Sequence, residues 1–160
     1  MARRIAPGLR RDFAFERTKL SDRADLEELR DRARAQILPS ASVALVGRDH
    51  MQGAVDAATG NAQRAGVLED LSLSKAVLSE PWPSLTDAMV VTNPPYGIRV
   101  GEATSVHALY GELGAQTTAA GWGLAVVIAD RRFVRSTGVS LEPKLTTDHG
   151  GIKVSFYAPR

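Results

Sequence analysis

The 160-residue sequence contains no cysteine, which excludes disulfide scaffolds, thiolate zinc sites and cysteine nucleophiles. Long apolar runs are missing too. The longest, Leu124 to Ala129, is far too short to span a bilayer. The N-terminus is rich in arginine but holds no apolar segment, which argues against a secretory signal, and Asp12 and Glu16 argue against a transit peptide. No internal repeat, low-complexity tract or long linker stands out. A cytoplasmic location is the expectation. What is present is a globular balance, 44% hydrophobic and 24% charged, over a length that suits one ordinary domain with a real core.

Net charge is +2, but it is unevenly spread. Residues 1–34 carry +3, residues 35–130 carry −5 and residues 131–160 carry +4. Two basic ends around an acidic centre suit a nucleic acid lying across the ends, with a site for a cationic or amine-bearing ligand between them. The competing reading is that Arg23, Arg30 and Arg34 simply solvate a helix face beside Asp22, Glu27 and Asp31. Arg131, Arg132 and Arg135 have fewer acidic neighbours and are the better candidates for phosphate contact.

Hydrophobic periodicity sets out the elements. Ser21 can cap a helix to about Ala35, with Leu26, Leu29 and Ala33 on one face. Val43 to Val46 reads as a buried strand. A helix follows with Ala54, Val55, Ala58, Ala62 and Ala65 on its buried side, closed by Gly66. Leu71 to Leu73 suits a short strand, and Ala88 to Thr92 a second buried one. Val106, Leu109, Tyr110 and Leu113 mark a further helix. Leu124 to Ile128 and Ile152 to Tyr157 are strands, and Gly150-Gly151 is a turn. Apolar strands alternating with helices predict an α/β fold, a parallel or mixed sheet covered on both faces.

In such sheets, ligands bind beyond the carboxyl ends of the strands. Asp49 sits at one of them, placed either to accept hydrogen bonds from ribose hydroxyls or to cap the next helix. His50 beside it is a candidate cofactor contact, with an exposed loop position as the alternative. At another strand end lies Thr92-Asn93-Pro94-Pro95-Tyr96-Gly97. An aromatic exocyclic amine is a poor nucleophile because its lone pair is delocalised into the ring. The Asn93 side-chain oxygen and the Pro94 carbonyl can each accept one of its protons, which aims the lone pair at an electrophile. Pro94 and Pro95 have fixed φ angles and keep these acceptors preorganised. Tyr96 offers a ring for stacking an extruded base, and Gly97 lets the chain turn away. A rigid strand-to-helix turn is the plainer alternative. His50, His107 and His149 lack metal-ligand spacing, so no metal site is expected. Asp130 suits the site rim or a helix cap, and Trp122 suits packing.

Asn93-Pro94-Pro95-Tyr96 resembles the (Asn/Asp/Ser)-Pro-Pro-(Tyr/Phe) motif of amino-methyltransferases that use S-adenosylmethionine. The longer run Asn93 to Gly101 resembles the THUMP-associated RNA methyltransferases acting on guanine N2 of ribosomal or transfer RNA. Ala6-Pro7-Gly8, Phe13-Ala14-Phe15-Glu16, Asn61-Ala62, Ala65-Gly66, Leu109-Tyr110, Leu113-Gly114 and Gly121-Trp122 carry the likeness from about Ala2 to about Phe156. The resemblance implies a Rossmann-like class I methyltransferase sheet, S-adenosylmethionine as cofactor and RNA as partner, without membrane involvement. It makes Asn93, Pro94, Pro95 and Tyr96 the catalytic residues, and Asp49, His50 and Asn93 the cofactor contacts. Adenine N6 methylation of DNA is the less favoured alternative, and a catalytically inactive remnant a third.

Three departures accompany the likeness. The family's first strand and glycine-rich loop, which hold the methionine part of the cofactor, have no counterpart, and neither does a THUMP domain. Val77 stands where an acid usually receives the adenine amine, with Glu80 the nearest acid. Met51 stands where a second acid often follows the ribose-binding one. Residues 1–160 are therefore read as a partial methyltransferase domain that needs a missing N-terminal portion or a partner chain, with two strands of its sheet left with open edges.

Overall fold

A computed structural model of the chain describes residues 2–18, 23–95 and 103–160. It divides into two compact units, Met1–Ala76 and Val77–Arg160, each with its own sheet.

In the first unit, α1 (Arg23–Ala35) precedes β1 (Leu45–Asp49), α2 (Gln52–Ala65) and β2 (Leu71–Lys75). β1 and β2 pair in parallel, Leu45 opposite Leu71 and Asp49 opposite Lys75, and α2 is the crossover that parallel pairing requires. α2 ends at Gly66, whose φ of 69° is the left-handed geometry that suits glycine and returns its N–H to the carbonyls of Ala62 and Gln63. Gly47 lies close against the neighbouring strand. A Cβ there would stand 2.7 Å from Cδ2 of Leu73, its cross-strand partner. The N-terminal segment is strapped on by Arg3, which donates to the carbonyls of Leu38 (2.9 Å) and Gly66 (3.1 Å) and pairs with Asp70 at 3.3 Å. Asp70 in turn accepts from the Ala41 N–H at 2.8 Å.

Several expectations for this unit shift. The strand expected at Val43 to Val46 lies at Leu45–Asp49, and Val43 and Val46 are exposed rather than buried. Pairing with β2 sets its limits, and among the described residues β2 is its only neighbour in this sheet. β2 runs two residues beyond the expected Leu71 to Leu73. On α2 only Val55 and Ala62 are buried, while Ala54, Ala58 and Ala65 are exposed, because a stripe two turns long is all that contacts the strands. Leu29 on α1 is exposed as well, and Ser21 lies outside the described residues.

The second unit holds β3 (Met89–Thr92), α3 (Ala103–Ala119), β4 (Gly123–Ile128), α4 (Arg131–Ser136), β5 (Glu142–His149) and β6 (Ile152–Ala158). Its mixed sheet has the order β3-β4-β6-β5, with β3 and β4 parallel and the β5–β6 hairpin antiparallel. The core is built on one face: Leu124, Val126 and Ile128 of β4 and Tyr157 of β6 cluster with Val106, Tyr110 and Leu113 of α3 and Phe133 of α4. Tyr110 and Phe133 stack at 5.0 Å between centroids. α3 and α4 come together where α3 carries Gly114, at which a Cβ would stand against the Thr137 carbonyl.

The α/β class, the α3 stripe and the strands at Leu124 and Ile152 are as expected. Burial of β3 is not. Met89 is 52% and Val91 71% exposed, because these two side chains point to the face opposite the helical layer and β3 is an edge strand. β5 was not expected at all. Its sequence, Glu-Pro-Lys-Leu-Thr-Thr-Asp-His, has no apolar stripe, and its residues are exposed almost throughout. Pairing with β6 makes it a strand, through Gly150 and Gly151 at φ 62° and 83° in the tight turn.

Candidate active site

Asp49 is the last residue of β1 and stands at its carboxyl end. Its carbonyl accepts from the Ala76 N–H at 2.9 Å, which fixes the backbone. Its Oδ1 accepts from the Met51 N–H at 2.8 Å, so the carboxylate closes the turn into α2. Both sequence readings of Asp49 are thus compatible: one oxygen braces the helix entry, and Oδ2 has no partner among the described residues. The side chain is about half exposed. His50 is exposed, with Nδ1 3.4 Å from that Oδ1. Met51 occupies the N-cap position of α2 and has no side-chain oxygen to offer.

In the second unit, Asn93, Pro94 and Pro95 leave the carboxyl end of β3, where Thr92 lies opposite Val126 of the parallel β4. Asn93 and Pro95 are exposed and Pro94 half-buried. Tyr96 and Gly97 to Gly101 lie outside the described residues. The adjacent strand end leads into α4, capped by Asp130, whose Oδ1 accepts from the Arg132 N–H at 2.9 Å. The Arg132 guanidinium adds two bonds to Oδ2, at 2.9 and 2.6 Å. These bonds, the guanidinium's first, hold the Asp130 carboxyl below the usual carboxylate range.

Asp130 is therefore a helix cap. His107 of α3 reaches the same rim, its Nδ1 2.7 Å from Oγ of Ser136 and its ring 4.7 Å from that of Phe133. α4 is too short for periodicity to reveal; only the Asp-x-Arg pair in the sequence marks it. Trp122 packs against Trp82 at 5.2 Å and donates to the Leu85 carbonyl at 3.0 Å, a packing role. Glu80, the acid nearest Val77, folds back so that its Oε1 accepts the Val77 N–H at 3.0 Å. Among the described residues, no group of three or more His, Asp or Glu is arranged to hold a metal ion.

Each unit thus carries polar groups at the carboxyl end of a parallel strand, where ligands bind in α/β folds: Asp49 after β1 in the first and Asn93 after β3 in the second. The chain belongs to the UPF0020 RMKL-like methyltransferase domain family, whose model matches residues 1–146. It is 34% identical over 160 residues to the ribosomal RNA large subunit methyltransferase K/L of Legionella pneumophila strain Philadelphia 1, a match covering 98% of the chain and 22% of that protein. The protein of the same name from Shewanella loihica is 34% identical over 162 residues, covering 98% and 23%. The chain thus spans under a quarter of these relatives. Among solved structures, it resembles SMU.472 complexed with SAH, with a TM-score of 0.87 and 28% identity, covering 98% of the chain and 42% of that protein. A possible methylase from Clostridium difficile 630 gives 0.87 and 27%, covering 97% and 41%.

Proposed function

We propose that the chain forms the substrate-amine half of a methyltransferase domain that uses S-adenosylmethionine to methylate an exocyclic amine, guanine N2, in ribosomal RNA. The observation that carries this reading is Asn93-Pro94-Pro95 at the carboxyl end of a parallel edge strand, in a member of a methyltransferase family. The sequence beyond Tyr96 and the ribosomal RNA relatives favour RNA over DNA, and those relatives favour ribosomal over transfer RNA.

The fit to the cofactor is partial. Asp49, with Oδ1 tied to the Met51 N–H and its side chain half exposed, suits ribose hydroxyls, and His50 flanks it. Glu80 places a carboxylate at Val77, on the stretch that follows β2. A strand and glycine-rich loop for the methionine end are supplied by a segment outside these 160 residues. The exposed, uncharged edge of β3 is suited to pair with that strand: it has none of the protection that β5 carries in Pro143 and Lys144.

Bound there, S-adenosylmethionine would supply an electrophilic methyl group. The Asn93 Oδ1 and Pro94 carbonyl would hold the two amine protons and direct the nitrogen lone pair along the line of transfer. The nitrogen–carbon bond forms as the sulfur–carbon bond breaks. The amine becomes acidic on methylation and loses its proton to solvent or to a backbone carbonyl, so no strong side-chain base is required.

Calorimetry with S-adenosylmethionine tests the division of labour. The 160-residue chain alone should show little or no binding, and the chain fused behind the preceding segment of the Legionella relative should bind. Tight binding by the chain alone would refute the division. A fused protein that binds cofactor yet methylates no RNA would support the inactive-remnant reading.

A further inference from the structure

The basic ends of the sequence are not equivalent in the fold. In the first unit Arg3, Arg30, Arg32 and Arg34 are already engaged. Arg30 pairs with Glu16 at 2.8 Å and Glu27 at 2.7 Å, Arg34 with Asp31 at 2.6 Å, and Arg32 lies 3.9 Å from Glu28. Arg3 is consumed by Leu38, Gly66 and Asp70. That helix has the alternating charges of a solvated face.

α4 is different. Asp130 neutralises Arg132 alone. Arg131 and Arg135 are exposed, and among the described residues neither has an ion-pair partner. Four residues apart on a helix, they lie on one face about 6 Å apart along its axis. That separation is comparable to the step between successive phosphates of one strand. Their place in the sheet gives the charge a direction. β4 runs parallel to β3, and Thr92 lies opposite Val126. The chain therefore enters α4 from the same sheet end as Asn93 and Pro94, one strand over, at about 5 Å of lateral spacing.

We propose that Arg131 and Arg135 form a phosphate clamp that grips the RNA backbone beside the nucleotide whose base is presented to Asn93 and Pro94. The proposal rests on the RNA-amine reading above and adds to it the surface along which the substrate runs. Guanidinium forks match phosphate oxygens two at a time, and an exposed arginine without an acid partner loses no ion pair on switching to phosphate. Arg132 has a separate duty. Locked by its bonds to Asp130, it fixes the start of α4 and so the direction in which the other two project.

The test is fluorescence anisotropy of the full 160-residue chain with a labelled stem-loop transcript of large-subunit ribosomal RNA, at 50 to 200 mM KCl. R131A/R135A should bind at least tenfold more weakly at the low-salt end. Its slope of log affinity against log salt should fall by about 1.4 to 1.8, the loss of two phosphate contacts. R32A/R34A removes the same net charge from the paired face and should change the slope by less than a third of that. An equal fall in both double variants overturns the clamp in favour of general charge attraction, and so does failure of the wild-type chain to bind the transcript. An R131A/R135A slope equal to wild type overturns the clamp alone, since methyl transfer by the fused protein can still stand. In a second arm with a labelled DNA duplex of the same length, tighter wild-type binding to the duplex than to the transcript overturns the clamp together with the RNA reading.

Discussion

Gly114→Ala gives a sharp test of how the second unit is packed. Alanine normally improves a helix interior over glycine by about 1 kcal/mol. At Gly114 this gain meets an obstacle, because the new Cβ would overlap the Thr137 carbonyl, with the carbonyl carbon 2.5 Å away. Carbon and oxygen in weak contact sit at about 3.3–3.6 Å. The obstacle is backbone, so no rotamer change relieves it, and the end of α4 would have to move off α3. Overpacking of this kind costs about 1–3 kcal/mol, with a backbone clash at the upper end. After subtracting the propensity gain, a net loss of about 1–2 kcal/mol is expected. Gly53 on α2 is the control. Nothing lies within 4 Å of its hypothetical Cβ, so Gly53→Ala should stabilise the first unit by about 0.5–1 kcal/mol. Urea unfolding followed by circular dichroism, with hydrogen exchange to separate the two units, reads both. If Gly114→Ala stabilises the protein as Gly53→Ala does, the close α3–α4 approach is wrong.

Two further outcomes follow from side-chain anchors. Asp130→Ala should cost about 1 kcal/mol through loss of the α4 cap. The folded-state pKa of Asp130 is depressed, so its contribution is full above the unfolded carboxyl value of about 3.9 and disappears as pH falls through the lower folded value. The difference between wild type and variant in urea titrations should therefore narrow below about pH 4, and a gap that widens there would contradict the cap. Arg3→Ala should cost about 1–3 kcal/mol, because it leaves the largely buried Asp70 carboxylate with the Ala41 N–H but without its cation. Unfolding midpoints check this, and no change would show that the N-terminal strap contributes nothing.

Much of this arrangement is legible in the sequence because it is carried by local patterns. The apolar run Leu124 to Ile128 and the spacing of Val106, Tyr110 and Leu113 each report a surface that packs on one neighbour. Gly66 and the Gly150-Gly151 pair announce backbone turns that only their φ angles permit cheaply. β5 is illegible for the opposite reason: its pairing with β6 is carried by backbone and by polar contacts such as Thr146 with Ser155, which leave no apolar periodicity. The exposure of Met89 and Val91 is hidden too, because an apolar strand reads the same whether its second face is covered or bare. At the site, Asn93-Pro94-Pro95 is visible as a motif. The bond of the Asp49 carboxylate to the Met51 N–H is visible only in three dimensions.

The most direct test of the central claim is methyl transfer from tritiated S-adenosylmethionine to a large-subunit ribosomal RNA transcript, by the chain fused behind the preceding segment of the Legionella relative. Wild type should label the RNA, on guanine N2. Asn93→Ala should lower kcat by about 100-fold, the typical loss of one preorganised hydrogen-bonding group. Asn93→Ala transferring methyl groups as fast as wild type, or label entering DNA and not RNA, would contradict the account.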